Sequence, residues 1–393
     1  MSTMNTLINI NFEQIKRVGV RVDFNVPIDE NFHITDNTRL LRAKETLNFL
    51  KTQNSKILIL SHFGRPKDTY EEKFSFNNLI KQFSEILEIP LQLLSYEDFI
   101  KNGLQTFDET NERFVLLDNI RFFEGEKKND LSFSQRITDH LDLYVNEAFS
   151  ASHRNHASVS QMSKNLLSAP GINFEREIIA INDIKNSSKK KLAIIGGSKV
   201  STKINTLLSL TQSCAAVFIG GAMANNFLKY NQIEVGGSLI EEGSELMIKD
   251  IYDSAKKNNC QIHLPIDVYL DDETIVDVDS LAKINKEDFK ILDLANSSNE
   301  LLSQLIDSSE IVLWNGPMGM IEDPRFAQGS SKLAHHLANC KAEVVVGGGD
   351  TLLAINISGE KFENYHFVST AGGAFLEALE NKELPGVLAL TSN

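Results

Sequence analysis

Leu192-Ala193-Ile194-Ile195-Gly196-Gly197-Ser198-Lys199 decides how this chain is read. Four apolar residues, two of them β-branched, fit a strand covered on both faces. The glycines that follow lack a Cβ, so bare N–H groups at a tight turn can approach a ligand where a helix begins. Three more stretches repeat the arrangement. Ala215–Ile219 runs into Gly220-Gly221-Ala222, Val344–Val346 into Gly347-Gly348-Gly349-Asp350-Thr351, and Phe367–Val368 into Ser369-Thr370-Ala371-Gly372-Gly373. One such unit serves packing alone in many α/β proteins. Four of them point to a site for phosphates.

Strand and helix patterns alternate outward from there. Val18–Val22, Ile57–Leu60, Phe114–Leu117 and Leu141–Val145 read as strands, and Arg39–Leu50 and Asn77–Leu87 as helices. The βαβα order predicts parallel sheets with helices on both faces, and ligands beyond the carboxyl ends of the strands. The organisation changes after Ser158–Ser163. Ala169-Pro170-Gly171 reads as a breaker, Phe174–Ile184 as a connecting helix, and Lys189-Lys190-Lys191 as a solvated turn before a new alternating series. A domain boundary is expected at about 170–185.

The totals narrow the class. A chain of 393 residues is too long for one ordinary core and predicts two domains. No apolar stretch approaches the roughly 20 residues that span a membrane, and no basic segment followed by an apolar core opens the chain. Cys214, Cys260 and Cys340 show no metal-ligand spacing and read as reduced thiols of a cytoplasmic protein. A net charge of −14 disfavours nucleic acid as a partner, because such binding rests on neutralising phosphates. Any anionic ligand must therefore meet local basic clusters.

Two such clusters can be read. In the first half, Asp23, Asn25, Arg39, His62, Arg65, Arg121, His153, Arg154 and His156 follow apolar strands or their turns. Arginine's planar fork matches carboxylate and phosphate oxygens. Taken singly, each arginine also reads as a surface residue, His62 as a structural histidine, and Asp23 and Asn25 as turn chemistry before Pro27. In the second half, Lys199 and Lys203 are four residues apart. On a helix they would share one face near its positive end and favour an anion, or else form a solvated pair. Asp350 reads as a helix N-cap, as a Mg²⁺ ligand beside nucleotide phosphates, or as both. Trp314-Asn315-Gly316-Pro317-Met318-Gly319 is another strand-end turn. Absent are a G-x-x-x-x-G-K-[ST] loop, a protein-kinase catalytic loop, a G-x-G-x-x-G after any of these strands, and a base paired with a nucleophilic Ser or Cys.

From Arg17 to Leu390 the chain resembles the phosphoglycerate kinase family. The resemblance rests on Arg21-Val22-Asp23-Phe24-Asn25-Val26-Pro27, Thr35-Asp36-Asn37-Thr38-Arg39, Ser61–Pro66, Asn146–Ser158, Gly196–Lys203, Trp314–Gly319, Gly347–Thr351 and Leu384-Pro385-Gly386-Val387, in family order. It implies an α/β fold of two Rossmann-like domains with parallel sheets, joined by a hinge helix. Residues 1–171 with 374–393 would form the phosphoglycerate domain, the C-terminal segment packing back on it, and 172–373 the nucleotide domain. It implies reversible phosphoryl transfer between 1,3-bisphosphoglycerate and Mg-ADP, giving 3-phosphoglycerate and Mg-ATP, by a monomer that closes its domains.

Residue by residue, the resemblance implies that Asp23, Asn25 and His62 hold the glycerate and that Arg65, Arg121 and Arg154 hold its 3-phosphate. Arg39, Lys199, Gly372 and Gly373 would serve the transferred phosphoryl group. The nucleotide would be bound by Gly197, Lys203, Gly220, Gly221, Asn315, Glu322, Gly347, Gly348, Gly349, Asp350 and Thr351, with Mg²⁺ on Asp350. Departures are Ala371 in a family glycine triplet, Thr202 and Glu147 where Asp is frequent, and Phe63 where Leu is. A positive φ at Ala371 would cost on the order of 1 kcal/mol. A nicotinamide-dependent dehydrogenase and a catalytically impaired nucleotide-binding homologue are the alternatives. The missing dinucleotide fingerprint weighs against the first, and Arg39, Lys199, Lys203 and Asp350 together weigh against the second.

Overall fold

The computed structural model describes residues 4–284, 289–380 and 382–391. Its strands in chain order are β1 Arg17–Arg21, β2 Lys56–Leu60, β3 Gln92–Leu94, β4 Phe114–Leu117, β5 Leu143–Asn146, β6 Ser168–Pro170, β7 Lys191–Ile195, β8 Ala216–Ile219, β9 Gln261–His263, β10 Asp267–Leu270, β11 Ile275–Asp277, β12 Ile291–Leu294, β13 Ile311–Asn315, β14 Glu343–Gly347 and β15 Phe367–Ser369.

Met1–Ile179 with Glu383–Asn393 form one unit and Ala180–Lys382 the other. In the first, six parallel strands run in the order β3-β4-β2-β1-β5-β6. The sheet is sealed on both sides, with Val18, Val20, Ile57 and Ile59 in one apolar cluster and Leu58, Leu60, Val115 and Leu117 in another. That double burial is why these strands read as unbroken apolar runs. The direction of strand order reverses between β1 and β5, so the turns after those strands border a crevice.

In the second unit, β15-β14-β13-β7-β8-β9 are likewise parallel. Renumbered from β7, this is the doubly-wound order 3-2-1-4-5-6, with its switch point between β7 and β13. A separate antiparallel sheet, β11-β10-β12, lies between β9 and β13 in sequence. Its strands are short and interrupted by Asp271, Asp272 and Glu273, so no long apolar run announced them.

Four expectations need correction. Ala169-Pro170-Gly171 does not simply break the chain, because Ser168–Pro170 forms β6. That is an edge strand, where proline's missing N–H is tolerated. Lys191 opens β7 and is buried, so only Lys189 and Lys190 remain solvated. Segment 374–393 is divided. Leu379 and Glu380 accept hydrogen bonds from Ser209 and Thr206 in the second unit, whereas helix Pro385–Thr391 joins the first, with Gly386 N–H donating to Ser152 O at 3.0 Å. The connecting helix is longer than read, at Ile172–Asn186.

Glu147, directly after β5, is capped into the start of that helix. Its carboxyl accepts from Asn173 N–H at 3.2 Å, Asn173 Nδ2 at 2.8 Å and Phe174 N–H at 3.4 Å. Burial nevertheless raises its pKa to about 7. The folded state thus binds this proton more tightly than the unfolded chain does. Its stabilisation is complete at low pH and is lost as pH rises through about 7. Glu147→Gln removes that penalty and is expected to raise Tm more at pH 8 than at pH 5, by a few degrees. Equal shifts at both pH values in thermal denaturation would show that Glu147 stays ionised throughout.

Candidate active site

In the first unit the turns after β1, β2 and β4 converge on a buried charged cluster. Arg21, the last residue of β1, is only 1% exposed. Its Nε donates to Ser158 Oγ at 3.0 Å, Nη1 to Val22 O, and Nη2 lies 3.0 Å from His62 Nδ1. Glu126 is fully buried and accepts from Ser158 Oγ at 2.7 Å and Ser158 N–H at 2.9 Å. Asp23 pairs with Arg39 Nη1 at 2.9 Å and also accepts from Ser150 Oγ. Arg39 Nη1 reaches Asn25 O as well, at 3.1 Å, and Asn25 Oδ1 accepts from Gly64 N–H at 2.8 Å.

These neighbours set the protonation states. Burial opposes ionisation of Asp23, but His62, Arg39, the Ser150 hydroxyl and Arg21 outweigh it and hold its pKa at about 2. Burial drives His62 well below the usual histidine range, against the pull of Asp23 and with Arg21, Arg121 and Arg154 adding to the effect. Asp23 and His62 each favour a charged partner, yet the ring cannot be charged at neutral pH while its Nδ1 faces a guanidinium. The arginines are therefore the countercharge that keeps Asp23 ionised. Arg121 is 4% exposed and donates from Nη1 to Gly64 O at 2.8 Å. Burial and the nearby charges of Arg154 and Arg21 lower its pKa to about 10. His156 is lowered to about 4 by burial, then by Arg121, Arg154 and Arg21. Arg154 is half-buried and Arg65 exposed. Like charges held this close favour an anion among them.

In the second unit the glycine turns after β7, β8, β13 and β14 meet. A pocket of about 470 Å³ is lined by Gly197, Gly221, Leu239, Met318, Glu322 and Asp350, among others. Gly221 has φ +63°, and a Cβ there would lie 2.8 Å from Gly197 N and 2.9 Å from Pro317 O. Only glycine lets these turns touch. Gly220, Gly347 and Gly348 belong to the same turns without lining the pocket. Added Cβ atoms at Gly349, Gly372 and Gly373 would meet nothing within 4 Å, so those backbones face open space. Ala371 is absent from the residues with positive φ, so alanine costs nothing there, whereas Gly372 after it has φ +57°.

The lysines do not share a helix face as expected. The helix begins at Ile204, and Lys203 is its cap residue. Lys203 Nζ donates to Gly196 O and Asn315 Oδ1, both at 2.6 Å, while Lys199 is exposed on the preceding loop. Burial lowers the Lys203 pKa to about 8, against the pull of Asp350. Asn315 Nδ2 donates to Gly347 O at 2.5 Å. Thr351 is buried, accepts from Gly316 N–H at 2.7 Å and donates to Gly347 O at 2.8 Å. Asn315 and Thr351 thus tie the turns together. Asp350 stands exposed at the start of helix Gly349–Ser358 and lines the pocket.

The phosphoglycerate kinase family model matches residues 8–382. The chain belongs to the phosphoglycerate kinase family. A phosphoglycerate kinase from Wolbachia sp. subsp. Drosophila simulans (strain wRi) is 37% identical over 388 residues, covering 95% of this chain and 96% of its own. One from Caulobacter vibrioides (strain NA1000 / CB15N) is 38% identical over 391 residues, covering 96% and 97%. The structure of phosphoglycerate kinase from Coxiella burnetii matches 99% of each chain at a TM-score of 0.87 and 32% identity. That from Pyrococcus horikoshii OT3, at 24% identity and a TM-score of 0.82, shares the fold.

Sequence reasoning assigned no role to Arg21, Glu126, Ser150 or Ser158, which organise the charged cluster of the first unit. Arg21 carried a usable signal, a lone charge within the expected strand Val18–Val22. Glu126 carried none, because Glu124-Gly125-Glu126-Lys127-Lys128 reads as solvated surface. Asp293, which lines the pocket with a pKa raised to about 7 by burial, was also missed.

Proposed function

We propose that this chain catalyses reversible phosphoryl transfer from 1,3-bisphosphoglycerate to Mg-ADP, giving 3-phosphoglycerate and Mg-ATP, as a cytoplasmic monomer. The observation that carries the reading is the arginine cluster around an uncharged His62, built at strand ends beside an ionised Asp23. Arg65, Arg121 and Arg154 bind the 3-phosphate. Asn25 and His62 orient the glycerate, and Asp23 accepts from its hydroxyl, as only an ionised carboxylate can on both oxygens. Arg39 faces the reacting carboxyl-phosphate.

In the ATP-consuming direction the nucleophile is a carboxylate, ionised at neutral pH, so no base is needed. One carboxylate oxygen bonds to the γ-phosphorus as the bond to the ADP oxygen breaks. The protein positions both groups and stabilises charge on the moving phosphoryl. Arg39, Lys199 and the N–H groups of Gly372 and Gly373 serve that end. Lys203 and the turns at Gly197, Gly220, Gly221 and Gly347–Gly349 hold the nucleotide phosphates, Glu322 lies toward the nucleoside, and Asn315 and Thr351 brace the turns.

The residues also fit Mg²⁺. Two exposed carboxylates, Asp350 at the glycine turn after β14 and Glu322, border the pocket, and no cluster of three His, Cys, Asp or Glu occurs among the described residues. That donor set suits an ion held mainly by water and phosphate oxygens. When bound, the ion would neutralise phosphate charge, with Asp350 holding it.

The test is initial velocity with 3-phosphoglycerate and Mg-ATP, coupled to reduction of the acyl phosphate. Turnover requiring both substrates is expected. No turnover despite calorimetric binding of both ligands would overturn the reading. Lys203 supplies a pH signature. Its charge is present below about 8 and lost above, so ADP affinity is expected to fall about tenfold between pH 7 and 9. Lys203→Met should flatten that profile in calorimetry. An unchanged slope would place the titration elsewhere.

A further inference from the structure

We infer that Arg21 is a positioning residue for His62. By donating from Nη2 to Nδ1, it fixes the ring as the neutral tautomer with its proton on Nε2, the form that can donate to a glycerate oxygen. The inference rests on the reading that His62 contacts the glycerate.

A guanidinium has donors and no acceptor. At 3.0 Å from Arg21 Nη2, Nδ1 must therefore accept, and the ring's proton goes to Nε2. Among the described residues Nε2 makes no hydrogen bond, yet it is not one of their sealed, unpartnered polar atoms. It is thus open to a ligand. The competing arrangement would put the proton on Nδ1, facing Asp23 Oδ1. That contact is 4.0 Å, and the proton would point into the guanidinium as well. The other charges acting on the ring, Arg121 and Arg154, also oppose a second proton.

Arg21 cannot swing away to release the ring. Nε is held by Ser158 Oγ, Nη1 by Val22 O, and Ser158 is itself anchored through its hydroxyl and its N–H to both oxygens of Glu126. The planar fork is therefore fixed along three of its directions. Glu126 meets Arg21 only through Ser158 and so leaves the guanidinium edge free for the ring. A ligand meeting this site finds a donor already oriented, so less order is lost on binding.

The first measurement is the long-range ¹⁵N–¹H spectrum of the His62 ring in the unliganded protein. Nε2 protonated and Nδ1 bare, unchanged from pH 6 to 8, is the expected result. A ring protonated on Nδ1, or on both nitrogens at pH 7, would overturn the inference. Arg21→Lys keeps the buried charge, but one ammonium cannot span Ser158, Val22 O and His62. It should yield a mixture of tautomers and raise the KM for 3-phosphoglycerate about tenfold, with kcat within about twofold. In a His62→Ala background the same substitution should add nothing, since Arg21 acts through the ring. Additive losses would mean that Arg21 acts directly and would overturn the inference alone. An unchanged KM in His62→Ala itself would overturn the site reading and the inference with it.

Discussion

Arg39→Ala is expected to lower kcat by about a hundredfold or more while raising the KM for 3-phosphoglycerate only a few-fold. Among the described residues the hydrogen bonds of Arg39 use Nη1 alone, on Asp23 and Asn25 O, and its side chain is 37% exposed. The rest of the fork is available to charge that develops on a transferred group. On the proposed reading, ground-state binding would rest on other groups. Arg121 and Arg154 would remain for the 3-phosphate, and Asp23 keeps Ser150 and the charge of Arg21 when Arg39 is removed. An interaction stronger in the transition state than in the ground state appears in kcat, and one equal in both appears in KM. Steady-state kinetics with calorimetric 3-phosphoglycerate titration separates the two. A loss of affinity as large as the loss of turnover would make Arg39 an ordinary binding group.

Gly221→Val is expected to remove ADP binding and to cost about 3 kcal/mol, combining the left-handed backbone with overpacking. The added Cβ would sit 2.8 and 2.9 Å from Gly197 N and O and 2.9 Å from Pro317 O. All three are backbone atoms of the turns after β7 and β13, so no side chain can rotate aside. The turns themselves must part, and they line the pocket. For a unit of this size that energy is a fall in Tm of roughly 10 °C. Binding of 3-phosphoglycerate to the first unit should survive. Unaltered ADP affinity in calorimetry would take these turns out of the nucleotide site.

How far each residue could be read depended on how local its cause is. β4 occupies the expected Phe114–Leu117, and the other expected strands shift by at most two residues at each end, because burial on both faces demands a continuous apolar run. The glycine turns were legible for the same kind of reason, since bare backbone is a requirement that one residue type meets. Lys199 and Lys203 were misplaced on one helix face because the chain stays a turn until Lys203, and nothing in Gly196–Lys203 states that Asn315 will accept its ammonium. Asn315 and Thr351 were placed near phosphates, and their side chains brace the turns that would carry them.

The sequence by itself determined the parallel α/β class, the two-part organisation, the glycine turns, and the family to which these motifs belong. Each of these follows from periodicity, from a residue type that a backbone geometry requires, or from an ordered string of motifs. Only the tertiary structure decided the strand orders with their switch points, the burial of Arg21 and Glu126, and the neutral state of His62. Those depend on which strand ends become neighbours. Asp23, His62, Glu126 and Ser158 lie as much as 135 residues apart in the chain. Charge states are set by distance and desolvation, which no local stretch of sequence carries.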